Sequence, residues 1–321
     1  MIADPGGLRD QKVVVTGASG LMGFPIAMDL ASHNDVTAVA RFSDNDRDAE
    51  ALELAGAQVV RFDLADPDLS PLPDEADVVF HFGAMTAFPG SAAERERQME
   101  VNARATGRVA LRYRKCRAFV HASASTYRFQ GERRLREDDP PGLINGIDNY
   151  CASKIAAEQL LQFLSREHRI PIVMLRISSC YGPRGGSIPG RIFRVLGRQP
   201  VVIYAGVPNR YCPMYETDYV EKAIAAASIA SVPPEVINFA GSETCTIEEY
   251  CAIAGELSGQ EPILQESPDA IYPIWPDTSK MERLLGRTKV SPREGIQRVM
   301  QSDPGAFSVR YAAWHEPTET Y

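Results

Sequence analysis

Lys12-Val-Val-Val-Thr16 runs straight into Gly17-Ala-Ser-Gly20-Leu-Met-Gly23, and apolar residues at helical spacing follow from Leu21 to Ser32. A buried strand that turns into a helix through three glycines, each three residues from the next, leaves few folds open. Without Cβ atoms the turn is tight, and its N–H groups can approach an anion at a helix N-terminus, where partial positive charge collects. A pyrophosphate is the ligand such a turn serves, although an ordinary glycine-rich turn between strand and helix looks the same in isolation. Pro25 falls in the first turn of that helix, where a missing N–H does little harm.

A second pattern narrows the reading. Tyr150-Cys-Ala-Ser-Lys154 opens another helical stretch, and residues four apart share a helix face. A phenol loses its proton near pH 10, but a neighbouring ammonium favours the phenolate and brings proton exchange closer to neutrality. Tyr150 and Lys154 are therefore the candidate acid/base pair. On a chain without the Gly17–Gly23 turn they would read as a surface Tyr and Lys.

Short buried strands are expected at Lys12–Thr16, Val36–Ala40, Gln58–Phe62, Asp77–Phe82, Ala118–His121 and Ile172–Ile177, with helices at Asp46–Ala55, Ala92–Lys115 and Asn149–Glu167 among them. Alternation of this kind predicts a Rossmann doubly wound parallel sheet, an α/β fold. After residue 180 the rhythm breaks into Gly- and Pro-rich loops, YGPRGGSIPG and RQPVVIYAGVPNRYCP. Thr217–Ala230 is again helical, Val236–Phe239 is a strand that returns to the main sheet, and Ile247–Ser258, Thr278–Leu285 and Pro292–Met300 are amphipathic helices. The division expected is a dinucleotide-binding domain at 10–179 plus 214–240 and a smaller C-terminal α/β substrate lobe at 180–213 plus 241–316.

A formal charge of −8 argues against a nucleic-acid partner, which needs a basic face. The basic run Arg104, Arg108, Arg112, Arg114, Lys115 and Arg117 reads as a solvated helix face with a cationic end. Six cysteines show no C-x-x-C pair and no zinc spacing, so no metal is expected. No apolar run has the length a membrane span requires, and the first eleven residues carry Asp4, Arg9 and Asp10 rather than a signal core. A cytoplasmic protein acting on a small molecule is the expectation.

At the end of the second strand, where an acidic residue usually receives the adenosine ribose hydroxyls, stand Ala40 and Arg41. Arg41 could pair with a 2′-phosphate, which favours NADP(H) with NAD(H) still possible; a solvent-facing arginine is the alternative.

The chain resembles an extended short-chain dehydrogenase/reductase of the NAD(P)-dependent epimerase/dehydratase family over nearly its whole length. The resemblance is carried by Thr16–Gly23, Asp63-Leu64, His81-Phe82-Gly83-Ala84, Val101-Asn102, the serines at 123 and 125, Tyr150 with Lys154, Leu175-Arg176, Tyr181-Gly182-Pro183 and Asp277-Thr278-Ser279-Lys280. It implies a cofactor held by Gly17, Ser19, Gly20, Leu21, Met22, Gly23, Arg41, Asp63, Leu64, Phe82, Gly83, Ala84, Asn102, Tyr150 and Lys154, with Lys154 on the nicotinamide ribose. Thr86, Ser179 and Arg210 are implied substrate contacts, and the long helices 92–115 and 149–167 are implied to pair in a homodimer. A serine should donate to the substrate oxygen as charge develops there. Ser123 and Ser125 compete: counting forward from the strand favours Ser123, counting back from Tyr150 favours Ser125, and Ser125 is preferred.

Departures from the family pattern bear on substrate. Ser125-Thr126-Tyr127 lacks the Asp-Glu pair of dehydratases, so water elimination is not expected. Ser267–Pro276 contains no arginine to grip a diphosphate, Arg210 lies one residue further from Asp218 than the pattern, and Ser179 replaces the usual Asn before Tyr-Gly-Pro. The expected activity is hydride transfer between NADP(H) and a secondary alcohol or ketone of a sugar-like substrate. The alternatives are an epimerase with a tightly held dinucleotide and a non-catalytic dinucleotide sensor.

Overall fold

The computed structural model describes residues 8–43, 46–86, 89–144 and 146–302. Its strands are β1 (Lys12–Thr16), β2 (Asp35–Ala40), β3 (Gln58–Arg61), β4 (Val78–His81), β5 (Ala118–Ala124), β6 (Ile172–Ile177), β7 (Cys180–Tyr181), β8 (Val201–Tyr204), β9 (Arg210–Tyr211), β10 (Met214–Tyr215), β11 (Glu235–Phe239), β12 (Cys245–Thr246) and β13 (Leu264–Ser267). The α-helices are α1 (Gly23–Ala31), α2 (Asp46–Leu54), α3 (Ala92–Met99), α4 (Ala105–Arg112), α5 (Asp148–His168), α6 (Ser187–Leu196), α7 (Glu216–Ala225), α8 (Ile247–Ser258), α9 (Ser279–Leu285) and α10 (Pro292–Gln301).

Seven strands form one sheet in the order β11-β6-β5-β4-β1-β2-β3, and all of its pairs are parallel. The continuous apolar character of Val13–Val15 and Val78–Phe80 follows, because both faces of these strands are covered. Ile26, Leu52 and Tyr219 bring α1, α2 and α7 against one face, whereas Val109 and Leu161 bring α4 and α5 against the other. The strand order changes direction between β1 and β4, and a crevice of that kind outside the carboxyl ends is where open α/β sheets bind ligands.

Three elements depart from expectation. The helix expected over 92–115 is interrupted by a π-helical segment, Glu100–Arg104, whose end is marked by Ala105 N donating to Glu100 O. The serine strand runs to Ala124 rather than ending at His121. The loop expected after Tyr181 contains α6, which accommodates Pro189 in its first turn and buries Ile188, Ile192 and Val195. These residues join Val201, Ile203, Ile247, Tyr250, Ile296 and Val299 in a separate cluster outside the sheet.

Candidate active site

The opening turn needs its glycines for identifiable reasons. Gly17 has φ +73°, and a Cβ there would stand 2.6 Å from Gly83 N. A Cβ on Gly23 would stand 2.2 Å from Gly17 O, and one on Gly20 would reach 3.1 Å from the same oxygen. Helix α1 then begins without a side-chain cap and without an acidic residue in its first turn, so no side chain competes with an anion there, although Phe24 N donates to Gly20 O at 3.2 Å. Ser19 and Leu21 are half-buried beside them, and Met22 is buried. These residues fit a dinucleotide pyrophosphate.

The opposite wall comes from the end of β4. Gly83 N donates to Thr16 Oγ1 at 3.1 Å, and a Cβ on Gly83 would collide with Leu64 Cδ1 at 2.4 Å, so the turn, Gly83 and Leu64 close on one another. His81 bridges Thr16 Oγ1 through Nδ1 at 2.8 Å and Thr106 Oγ1 through Nε2 at 3.0 Å. Burial, with the nearby Lys154 charge, pushes His81 down to about 3, so it is neutral at physiological pH. Phe82 and Ala84 are half-buried on either side of Gly83, as is Thr86 further along.

Asn102, within the π segment, grips the chain between Ala84 and Thr86. Its Oδ1 accepts Met85 N at 2.7 Å, and its Nδ2 donates to Met85 O at 3.0 Å and to Ser153 Oγ at 2.9 Å. An extra backbone residue in a helix turn is a frequent mark of a functional position. Here it carries a side chain that ties the β4 loop to α5.

Tyr150 is the third residue of α5 and half-buried, whereas Lys154 is 3% exposed. Lys154 Nζ donates to Ala122 O at 2.7 Å and lies 6.0 Å from the centre of the Tyr150 ring. Burial pushes the Lys154 ammonium down to about 8, with Glu158 acting in the opposite direction. His121 stacks on His81 with ring centres 5.7 Å apart, and its ring nitrogens have no hydrogen-bond partner among the described residues. Burial, then Lys154 and His81, hold His121 well below the usual histidine range, so neither imidazole adds positive charge beneath the ammonium.

The two serines separate. Ser123 Oγ donates to Glu158 Oε1 at 2.6 Å, and Glu158 pairs with Arg176 at 2.8 Å in an almost fully buried ion pair. Arg176 also donates to the Tyr127 hydroxyl at 2.9 Å, which in turn donates to Asn238 Oδ1 at 2.5 Å. Ser125 lies just past the end of β5 and donates to the backbone oxygen of Arg176 at 2.9 Å.

Arg41 is exposed after β2, and its charge acts on Asp63. Burial pushes the Asp63 carboxyl up, but the Ala65 amide and the Arg97 guanidinium hold it below the ordinary carboxylate value. Asp63 is thus bound to Arg97 at 2.5 Å. Of the substrate candidates, Ser179 has φ +54°, and Arg210 pairs with Glu132 at 2.7 Å and stacks 5.0 Å from the Trp275 ring centre. Arg134 approaches the same ring at 5.2 Å.

Sequence reasoning did not single out Glu158, His121, Gln98 or Asn149. Only Glu158 left a signal, since it lies four residues after Lys154 and so continues the face of Tyr150 and Lys154. No group of His, Cys, Asp and Glu among the described residues could hold a metal ion. No described helix is long and apolar enough to cross a membrane.

Comparison with known proteins agrees with this geometry. An uncharacterized UDP-glucose epimerase of Bacillus subtilis, YtcB, is 26% identical over 294 residues, covering 85% of this chain and 92% of its own. The structure of Bacillus cereus UDP-glucuronic acid 4-epimerase with NAD superposes with a TM-score of 0.77 at 26% identity, covering 90% of this chain and 99% of that one. The same enzyme with UDP-glucuronic acid and NAD gives 0.79 at 25% identity, covering 90% and 99% of the two chains. The model of the NAD dependent epimerase/dehydratase family matches residues 13–240. The chain belongs to that family and is an enzyme of the extended short-chain dehydrogenase/reductase type.

Proposed function

We propose that this enzyme oxidises a secondary alcohol carbon of a nucleotide-linked sugar and returns hydride to the same carbon, inverting it. The observation that carries this reading is the buried Lys154 ammonium, fixed on Ala122 O at 2.7 Å and 6.0 Å from the centre of the Tyr150 ring. A nicotinamide dinucleotide, when bound, supplies the hydride acceptor and donor.

Tyr150 takes the proton from the substrate hydroxyl and gives it back, with the Lys154 charge favouring the phenolate. Lys154 would hold the nicotinamide ribose. Ser125 is the better donor to the substrate oxygen: its hydroxyl rests on a neutral carbonyl, whereas Ser123 is committed to the buried Glu158–Arg176 pair. Phe82, Gly83 and Ala84 would wall the nicotinamide side, with Asn102 holding the chain beside them, and Asp63 and Leu64 would bound the adenosine side. Thr86, Ser179 and Arg210 would contact the sugar nucleotide. The dinucleotide-binding part is 10–179 with 214–240, and the substrate part is 180–213 with 241–316, its last residues lying outside those described. The UDP-sugars named for the relatives support the substrate class.

Arg41 supports a second reading, net reduction with NADP(H). Ala40 offers no carboxylate to the ribose, and Arg41 is exposed where a 2′-phosphate would stand. The relatives solved with NAD weigh towards NAD(H). Leu111 and Phe163, 38% and 59% exposed on α4 and α5, support pairing of these helices in a homodimer. Six free cysteines support a reducing, cytoplasmic location.

Purified protein incubated with UDP-glucose or UDP-glucuronic acid decides between the readings. Inversion seen by NMR without net change in nicotinamide absorbance is expected. Stoichiometric NADPH oxidation with a keto-sugar nucleotide would establish the reductase instead. Replacement of Tyr150 by Phe should abolish turnover with dinucleotide affinity retained, and equal affinity of wild type and Arg41→Ala for NADPH would remove Arg41 from cofactor choice.

A further inference from the structure

Beyond the acid/base pair, one charged contact joins the two parts of the chain beside the glycine turn. Gly182 N donates to Gly185 O at 3.0 Å and Gly185 N to Gly182 O at 3.1 Å, closing a tight hairpin with Pro183 and Arg184 at its tip. Its base is closely packed: a Cβ on Gly182 would stand 2.8 Å from Glu216 Cβ, and one on Gly186 would stand 2.8 Å from Cys180 O. From this tip Arg184 reaches Asp48 on α2 with both terminal nitrogens, at 2.7 and 3.2 Å.

On the way the guanidinium crosses Phe24, the second residue of α1, with its centre 3.9 Å from the ring centre. The two charged side chains are only 21% and 17% exposed, unlike a solvated surface pair. Arg184 Nε is buried and has no hydrogen-bond partner among the described residues, so one donor of the fork is left over once Asp48 is satisfied. Asp48 rises from the segment after Ala40 and Arg41, and Phe24 follows the last glycine of the turn. A dinucleotide held by Lys154, the start of α1 and the end of β2 would pass beside this contact.

We infer that Arg184 and Asp48 form a latch that keeps the 182–185 hairpin across the mouth of the dinucleotide crevice and so retains the cofactor between turnovers. The inference rests on the reading of this crevice as a dinucleotide site, and it matches a cofactor that is reused rather than exchanged. Breaking one partner leaves the other half-buried and unpaired, so either substitution should open the hairpin.

The test is the release rate of NADH from the full chain, followed by stopped-flow fluorescence on displacement with excess NAD. Arg184→Ala and the nearly isosteric Asp48→Asn should each accelerate release by about tenfold, with association little changed. The double substitution should release no faster than the quicker single one, because the two act on one contact. Circular dichroism spectra matching wild type keep the comparison valid, and Asp48→Asn provides it should Arg184→Ala fail to fold. Release within about twofold of wild type in Asp48→Asn, or additive acceleration in the double variant, overturns the latch. Failure of the wild-type chain to bind NADH or NADPH overturns the dinucleotide reading itself, a result distinct from unchanged release.

Discussion

Asn149 donates its side-chain amide to Gln98 Oε1 at 2.6 Å, one residue before Tyr150. Helix α5 has Ile147 at its N-cap with no side-chain cap, so this contact steadies the turn that carries the phenol. Gln98 in turn donates to Met85 O at 3.1 Å, the oxygen that Asn102 also holds. Through Asn149 and Ser153 the β4 loop and the start of α5 are therefore tied on both sides of Tyr150.

Asn149→Asp should break this tie with no change in size, because a carboxylate cannot donate to Gln98. A loss of about 1 kcal/mol is expected. Hydrogen exchange of residues 148–152 should quicken while α4 and the sheet stay protected. Unchanged exchange in that turn would show that Gln98 does not support it.

Gly17→Ala places a Cβ against the Gly83 backbone at a positive φ, two costs that no side-chain rotation relieves. The variant should lose at least about 2 kcal/mol of stability, together with NADH binding. Denaturant unfolding and fluorescence titration read the two effects separately.

Stability should rise with pH above neutrality because of Lys154. Its folded value is depressed to about 8 from an ordinary 10.5, so between these values the unfolded chain holds the extra proton and is favoured by it. Raising the pH through this window removes that advantage, on the order of 3 kcal/mol. Urea unfolding of wild type and Lys154→Met across the window should show a steeper rise in wild type; parallel curves would contradict the buried ammonium.

Acid acts through His81. Its folded value is held at about 3 against an ordinary 6.5, so the unfolded chain binds the additional proton below 6.5, and stability falls as the pH drops towards 3. His81→Asn should be less stable at neutral pH, having lost its contacts to Thr16 and Thr106, yet show a shallower acid dependence. Equal slopes would mean that His81 becomes protonated in the folded state.

The parallel sheet was legible because its strands are covered on both sides, so that runs such as Val13–Val15 stay apolar without alternation. The π segment was not, since apolar spacing over 92–115 continues through it and one added backbone residue leaves no mark in composition. Pro189 and Gly190 hid α6, although a proline in a first turn is compatible with a helix. Ser123 and Ser125 could not be separated by counting, because the strand ends between them and period-two alternation stops at Ala124. Arg184 with Asp48 and Arg210 with Glu132 join distant stretches of chain, and nothing local announces either pair. The glycine turn, Tyr150 and Lys154 were readable because each chemistry imposes its own short spacing.

The cluster outside the sheet draws on Tyr181 to Ile203, Tyr211 to Tyr215, Cys245 to Ala254 and Ile296 to Val299, while β11 and α7, from between those stretches, belong to the sheet and its cover. The polypeptide therefore shuttles back and forth between two packing centres. A scission before β11 would not yield two self-sufficient fragments: the N-terminal piece would lack an edge strand, and the remainder would lack Ile188, Ile192 and Val195 of α6. The outer centre can close only after the stretch bearing Ile296 and Val299 has been made, well after the hairpin that bears Arg184.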